Sequence, residues 1–251
     1  MVLRQIPNDK LTPEQLGLPE SVVKMVLRPR GLVLVTGPTG SGKSTTLASL
    51  IDYLNINHDH HIITIEDPIE FVFTSKKGLV EQRELGGDTP SFASALKHVL
   101  RQDPNVIMVG EMRDPETIAT ALTAAETGHL VFSTLHTSSA GEAIERIVDV
   151  FEGQKQKQVL IQLSSVLRYV IAQQLLPSTD GTRIVAREVL VNTPGVANLI
   201  RENNIAQLVS AIQTGAKNGM LSMEQSVKWL LKEKLISEEI AHNRMGRDKH
   251  L

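Results

Sequence analysis

The stretch Gly37-Pro38-Thr39-Gly40-Ser41-Gly42-Lys43-Ser44 fits the pattern G-x-x-x-x-G-K-[ST], and Thr45 extends the same turn. Glycines at this spacing let backbone N–H groups curl around phosphate oxygens. The lysine neutralises the β and γ oxygens, and the serine hydroxyl ligates magnesium. The pattern predicts a nucleoside triphosphate held by Gly37 through Thr45, with Ser44 on the metal. A second element, Asn105 to Glu111, is an apolar run that ends in a carboxylate. Glu111 is expected to face the γ-phosphate and to orient or deprotonate the attacking water. The other reading makes it a carboxylate favouring the start of a helix near Pro115. Gly110 stands where the general pattern puts a magnesium-binding aspartate, which moves the acidic role to Glu111. Glu66, Asp67 and Glu70 crowd around Pro68. Carboxylates this close repel unless a cation or a water network lies among them. Glu66 and Asp67 are therefore candidate magnesium ligands, directly or through water, against the alternative of a solvated loop. His129 and His136 bracket one apolar run. Extended residues advance ~3.3 Å each, so the two rings stand roughly 20 Å apart and cannot both reach one γ-phosphate. His136 is the better placed to sense phosphate, and His129 fits a structural or subunit-contact role. His58, His60 and His61 offer imidazoles for a metal or simply form a polar loop. Arg83, Arg101 and Arg113 flank the acidic elements, and any of them is a candidate to reach a neighbouring subunit's γ-phosphate.

These side chains need elements that end at one place. Gly31 to Thr36, His61 to Ile65, Asn105 to Val109 and His129 to Leu135 are short runs rich in β-branched and apolar residues, the pattern of strands buried on both faces. Helical stretches at Lys43 to Leu54, Ser91 to Arg101 and Pro115 to Thr127 alternate with them, which predicts an α/β fold with a mostly parallel, doubly wound sheet. In such sheets ligands lie beyond the carboxyl ends of the strands, where Gly37, Glu66, Glu111 and His136 fall. A long helix is expected over Lys157 to Leu175 and an outer strand over Arg183 to Val191. Beyond Pro194 the pattern is helical only, at Gly195 to Glu202, Ala206 to Thr214, Met223 to Glu233 and Ser237 to Met245. Residues 1–28 read as a linker with one short helix around Ser21 to Leu27, 29–193 as the α/β core and 194–251 as a small helical subdomain.

Composition narrows the function classes. The chain has 251 residues, 41% of them hydrophobic, enough for a sizeable core. Twenty-six basic against 28 acidic residues give a formal charge of -2, and aromatic residues make up 3%, which argues against a nucleic-acid translocase. The absence of cysteine excludes disulfides and thiolate zinc sites. No transmembrane segment or secretory leader is expected, and the cytoplasm is the expected compartment.

The order and spacing of Gly37 to Thr45, Thr64 to Phe71, Val109 to Asp114 and Gly128 to Thr137 resemble the Walker A, Asp-box, Walker B and His-box elements of the secretion ATPase superfamily. Ala124 to Leu130, Asn198 to Glu202 and Gly219 to Met223 look closest to the retraction ATPases of type IV pili. Val196-Ala197 departs from that pattern. The resemblance implies a RecA-like P-loop ATPase that binds ATP and Mg2+ between the subunits of a homo-hexamer. It implies Glu111 as catalytic glutamate, Glu70 as its Asp-box partner, and His129 and His136 as His-box residues. It assigns Asn198 to Glu202 to a helix needed for retraction. The implied partners are an inner-membrane platform protein of the pilus machine and, indirectly, the pilin fibre, with the motor peripheral to the inner membrane. Family members carry an N-terminal PAS-like domain, and Leu3 to Pro7 resembles the linker that follows it. Alternatives are a pilus assembly or type II secretion motor, whose members usually carry a tetracysteine zinc loop, and a nucleotide-gated assembly protein without turnover.

Overall fold

The computed structural model describes residues 10–245; the linker-like stretch Leu3 to Pro7 and the last six residues lie outside them. The β-branched runs form the middle of a sheet. In chain order the elements begin α1 (Glu20–Met25), β1 (Gly31–Thr36), α2 (Lys43–Asn57), β2 (His61–Glu66), β3 (Leu79–Glu84), α3 (Phe92–Val99), β4 (Val106–Val109) and α4 (Pro115–Glu126). They continue with β5 (Leu130–Leu135), α5 (Ala140–Asp149), α6 (Gln154–Val166), β6 (Leu167–Pro177), β7 (Arg183–Val191), α7 (Pro194–Arg201), α8 (Leu208–Thr214), α9 (Met223–Lys232) and α10 (Glu238–Arg244).

The seven strands lie in the order β3-β2-β4-β5-β1-β6-β7. All neighbours are parallel except β6 and β7, which are antiparallel. Every position of β1, β4 and β5 is buried, as strands covered on both faces require. Successive side chains point to opposite faces. Leu32, Leu34, Ile107, Val109 and Val131 pack with α3 to α8, whereas Val33, Val35, Met108 and Phe132 pack with α1 and α2. Val196, Ile200, Leu208 and Ile212 of α7 and α8 belong to the first of these clusters. Helices α9 and α10 have their own, built from Val227, Leu230 and Ala241 against Leu176 and Ala186.

One expected element is corrected. The long helix anticipated over Lys157 to Leu175 ends at Val166, and the rest belongs to strand β6, an interior strand of the sheet. An apolar run does not by itself separate helix from strand. Here the slot between β1 and β7 decides: Tyr169, Val170 and Ile171 pair with Val33, Leu34 and Val35 on one side and with Val191, Leu190 and Val189 on the other. Edge strand β3 and helix α5 were not anticipated. Strand β3 (Leu-Val-Glu-Gln-Arg-Glu) is half exposed and polar, so it lacks a buried-strand pattern.

Phe132 is fully buried at the centre of β5. Phe132→Ala is expected to cost about 3–5 kcal/mol, through lost transfer energy and an unfilled cavity. Urea unfolding will show this as a lower midpoint at unchanged slope.

Candidate nucleotide-binding site

Strand β1 runs straight into the glycine-rich turn, and α2 begins at Lys43 with Gly42 as its N-cap in left-handed geometry (φ 87°). Glycine is needed there because a side chain would strain that backbone. It is also needed at Gly37 (φ 144°), where a Cβ would stand 2.3 Å from the Gln173 carbonyl oxygen. The N–H groups of Gly42, Lys43, Ser44 and Thr45 have no acceptor among the described residues, so the first turn of α2 presents unpaired donors and the positive end of its dipole. Lys43 Nζ donates to the carbonyl oxygens of Gly37 at 2.9 Å and Pro38 at 3.1 Å. Burial holds its pKa below the usual lysine value, while the carboxylates of Glu70 and Glu111 act in the opposite direction. An anion entering the cradle would add to the second effect.

The carboxyl ends of β2, β4 and β5 are drawn level with the cradle. Gly110 N–H donates to the Ile65 carbonyl at 2.8 Å, and Ser133 Oγ donates to the Val109 carbonyl at 2.8 Å. Glu111 leaves the end of β4 with Arg113 Nε 2.7 Å and His136 Nε2 3.7 Å from its Oε2. The N-cap of α4 is Asp114, whose carboxylate accepts from the Thr117 N–H at 2.8 Å; the alternative reading of Glu111 as the cap is thereby excluded. Glu66 Oε1 accepts from Thr64 Oγ1 at 2.7 Å and from Gln82 Nε2 at 3.0 Å, and burial raises its pKa. The loop after it is held from β3, where Glu84 accepts from the Ile69 N–H at 3.0 Å and Gln82 from the Phe73 N–H at 2.7 Å.

Thr39, Gly40, Gly42, Lys43, Ser44, Thr45, Glu66, Asp67, Glu70, Glu111, Arg113 and His136 all line one cavity of about 540 Å³. Gly37 and Pro38 stand behind it as acceptors for Lys43, and Ser41 is buried in the turn. Phe71, Phe73, Leu47, Leu175 and Arg183 are also in the wall, a mixed surface of the kind that takes a flat ring beside charged groups. His129 is elsewhere. It precedes β5 at the opposite end of the sheet, with its Nδ1 3.0 Å from the Ala124 carbonyl, so the structure does not bring it to the cavity. Arg83 and Arg101 do not line the cavity either, and Arg83 meets Gln102 and Glu81 instead. His58 and His60 stack on each other, 5.4 Å between ring centres.

The donor set suits magnesium. Ser44 and the carboxylates of Glu66, Asp67, Glu70 and Glu111 supply only hard oxygen ligands. No group of three His, Asp or Glu among the described residues is arranged to cage a metal alone. Sequence reasoning missed Gln173, Gln82 and Glu84, polar residues inside strands with no motif around them.

Fold and cradle together define a P-loop nucleotide-binding protein with a RecA-like α/β core. The model of the Type II/IV secretion system protein family matches residues 1–218, and the chain belongs to that family. It is 55% identical over 243 residues to the type IV pilus retractation ATPase PilT of Pseudomonas aeruginosa, covering 97% of this chain and 71% of that protein. It is also 55% identical over 244 residues to a twitching motility protein of Neisseria gonorrhoeae, covering 97% of this chain and 65% of that one. A crystal structure of the pilus retraction motor PilT with bound ADP superposes with a TM-score of 0.91 at 52% identity, covering 99% of this chain and 71% of that chain. The ATPase DotB of Legionella pneumophila superposes with a TM-score of 0.89 at 34% identity, over 97% of this chain and 68% of that one. Relative to these proteins the chain spans roughly two thirds of their length.

His136 couples the charged groups of the cavity. Burial lowers its pKa from 6.5, the Lys43 ammonium pushes the same way, and Glu111 opposes both. A histidine with a depressed folded pKa binds fewer protons folded than unfolded, so its contribution to stability is lost as the pH falls through that window below 6.5. NMR titration of the His136 ring should show a midpoint below 6.5. The midpoint should rise in Lys43→Ala and fall further in Glu111→Gln; the reverse order would contradict this electrostatic assignment.

Proposed function

We propose that the chain is the motor core of a ring-forming ATPase that hydrolyses ATP to drive retraction of type IV pili. The observation that carries this reading is the 55% identity to the Pseudomonas aeruginosa retraction ATPase across nearly the whole chain, together with a cradle that offers unpaired donors and Lys43 to a phosphate. ATP lies with its phosphates against Gly37 to Thr45. Lys43 exchanges the carbonyls of Gly37 and Pro38 for the β and γ oxygens. Ser44 would hold magnesium, with Glu66 and Asp67 as further candidate ligands, directly or through water. Magnesium supplies charge neutralisation on the phosphoryl oxygens. Glu111 holds and deprotonates the attacking water, Glu70 supports it as the second carboxylate, and His136 reports the γ-phosphate to Glu111.

In this reading 29–193 is the ATPase core, 194–251 a helical subdomain and 1–28 a linker. The sites are completed between subunits of a homo-hexamer. Arg83 and Arg101, both outside the cavity, are better placed than Arg113 to serve a neighbour, because Arg113 is paired with Glu111 of its own chain. His129, at the other end of β5, belongs to a structural or subunit contact. The motor works in the cytoplasm against an inner-membrane platform protein, and through it on the pilin fibre. Among the described residues no helix is long and apolar enough to cross a membrane. A type II secretion motor is the second reading, supported by relatives such as the Xanthomonas campestris type II secretion system protein E, 43% identical over 62% of this chain.

Magnesium-dependent phosphate release, measured across protein concentrations, should rise more steeply than linearly if sites are shared. Lys43→Ala should abolish nucleotide binding. Glu111→Gln should bind ATP yet lose about 10²-fold or more in turnover. Complementation of cells lacking the cognate gene decides the direction of the motor: loss of retraction leaves surplus pili, and bald cells would refute the retraction assignment.

A further inference from the structure

Gln173 is a fully buried amide in the middle of β6, with both ends of its side chain committed to the phosphate cradle. Its Nε2 donates to the Ser41 carbonyl at 2.9 Å, and its Oε1 accepts from Thr46 Oγ1 at 3.0 Å. The Ser41 oxygen can only accept, so it fixes which end of the amide faces the loop. Its own carbonyl backs Gly37 so closely that no Cβ would fit there. Gln173 thus touches the first, fifth and tenth residues of the stretch Gly37 to Thr46.

A trans peptide is planar, with its C=O and N–H pointing in opposite directions. Pinning the Ser41 carbonyl toward β6 therefore turns the N–H of the same peptide, that of Gly42, away from β6. Gly42 lines the cavity, and its N–H has no acceptor among the described residues. Gly42 has no Cβ to restrain its φ, so this peptide needs an outside contact to fix its orientation. We infer that Gln173 is a positioning residue for nucleotide binding: it locks the Ser41–Gly42 peptide so that the Gly42 N–H is aimed at the phosphates before they arrive. The inference rests on the nucleotide-site reading above. An uncharged amide suits the task, because a carboxylate there would face a carbonyl oxygen and oppose the incoming anion.

The test uses inorganic pyrophosphate, which engages the cradle and nothing else, titrated into the whole chain by calorimetry and followed by the amide spectrum. In the parent the Gly42 N–H resonance should move on saturation. In Gln173→Met, which keeps the volume and loses both hydrogen bonds, the affinity should fall about tenfold, the net worth of one to two hydrogen bonds. Gly42 should move much less even at saturation, a change that mere loosening of the core would not single out. Thr46→Val, which leaves the bond to Ser41, should lose about threefold. A Gly42 resonance that stays still in the saturated parent overturns the inference, as does parental affinity in a folded Gln173→Met. If that variant does not fold, parental affinity in Thr46→Val overturns it. A parent chain that binds no pyrophosphate would remove the nucleotide-site reading itself, and this inference with it.

Discussion

The structure is organised around one buried cation. Lys43 sits at the start of α2 with its ammonium bound to two carbonyls of its own loop, in a place where burial already works against its charge. A buried ammonium is costly unless its protons are satisfied and opposite charge is near. Both conditions constrain the surroundings. The carbonyls of Gly37 and Pro38 must curl back over the lysine, which only a turn with positive φ at glycine permits. The carboxylates of Glu70 and Glu111 must arrive from β2 and β4, so those strands have to end at the level where β1 ends. The ladder arranges this: Ile65 pairs with Val109, and Val109 with Ser133.

From that cation the remaining charges follow in sequence. Glu111 answers Lys43 and is itself held by Arg113. His136 stands beside Glu111 but is pushed toward its neutral form by burial and by Lys43. Burial makes the Glu66 proton harder to lose, and the hydrogen bonds from Thr64 and Gln82 oppose that effect only in part. The cavity therefore holds charges that nearly balance, arranged so that one added anion shifts several of them together. Strands β1, β2, β4 and β5 each end at or just before a different one of these groups: Lys43, Glu66, Glu111 and His136. The geometry is set by the sheet, with loops adjusting it through hydrogen bonds such as those of Gln82 and Glu84.

Much of this was legible in the sequence because the relevant signals are local. The glycine-rich turn carries its own backbone requirement, and β1, β2, β4 and β5 appear as short β-branched runs close to their observed bounds. The polar residue that ends each run lands beside the cradle for the topological reason that parallel strands share their carboxyl ends. What was not legible depends on partners far along the chain. Leu167–Pro177 is a strand because of the slot between β1 and β7, though the dipeptide Asp180-Gly181 between two apolar runs was a hairpin signal that separates strand from helix. Strand β3 alternates little and is recognised only beside β2. Gln173 looked like one polar residue in an apolar stretch; its meaning lies 132 residues away, at the Ser41 carbonyl.

The outer hairpin shows why that distance matters. Gln173 pairs directly with Arg187 across the β6–β7 ladder, and directly opposed residues present their side chains on the same face. That face also carries Tyr169, Ile171 and Val189, packed with α1 and α2. On it Gln173 grips the cradle, while Arg187 donates to the carbonyls of Leu16 at 2.7 Å and Gly17 at 3.2 Å in the segment that leads into α1. Burial lowers the pKa of Arg187 to about 10. No carboxylate pairs with it among the described residues, so those two carbonyls are what makes its burial tolerable. The Arg187 N–H also donates to Ser226 Oγ at the start of α9. One rung of the sheet therefore ties the phosphate loop to the leading segment and to the C-terminal helices. A displacement of the Leu16–Gly17 carbonyls would uncover a buried guanidinium directly across the ladder from the amide that orients the cradle.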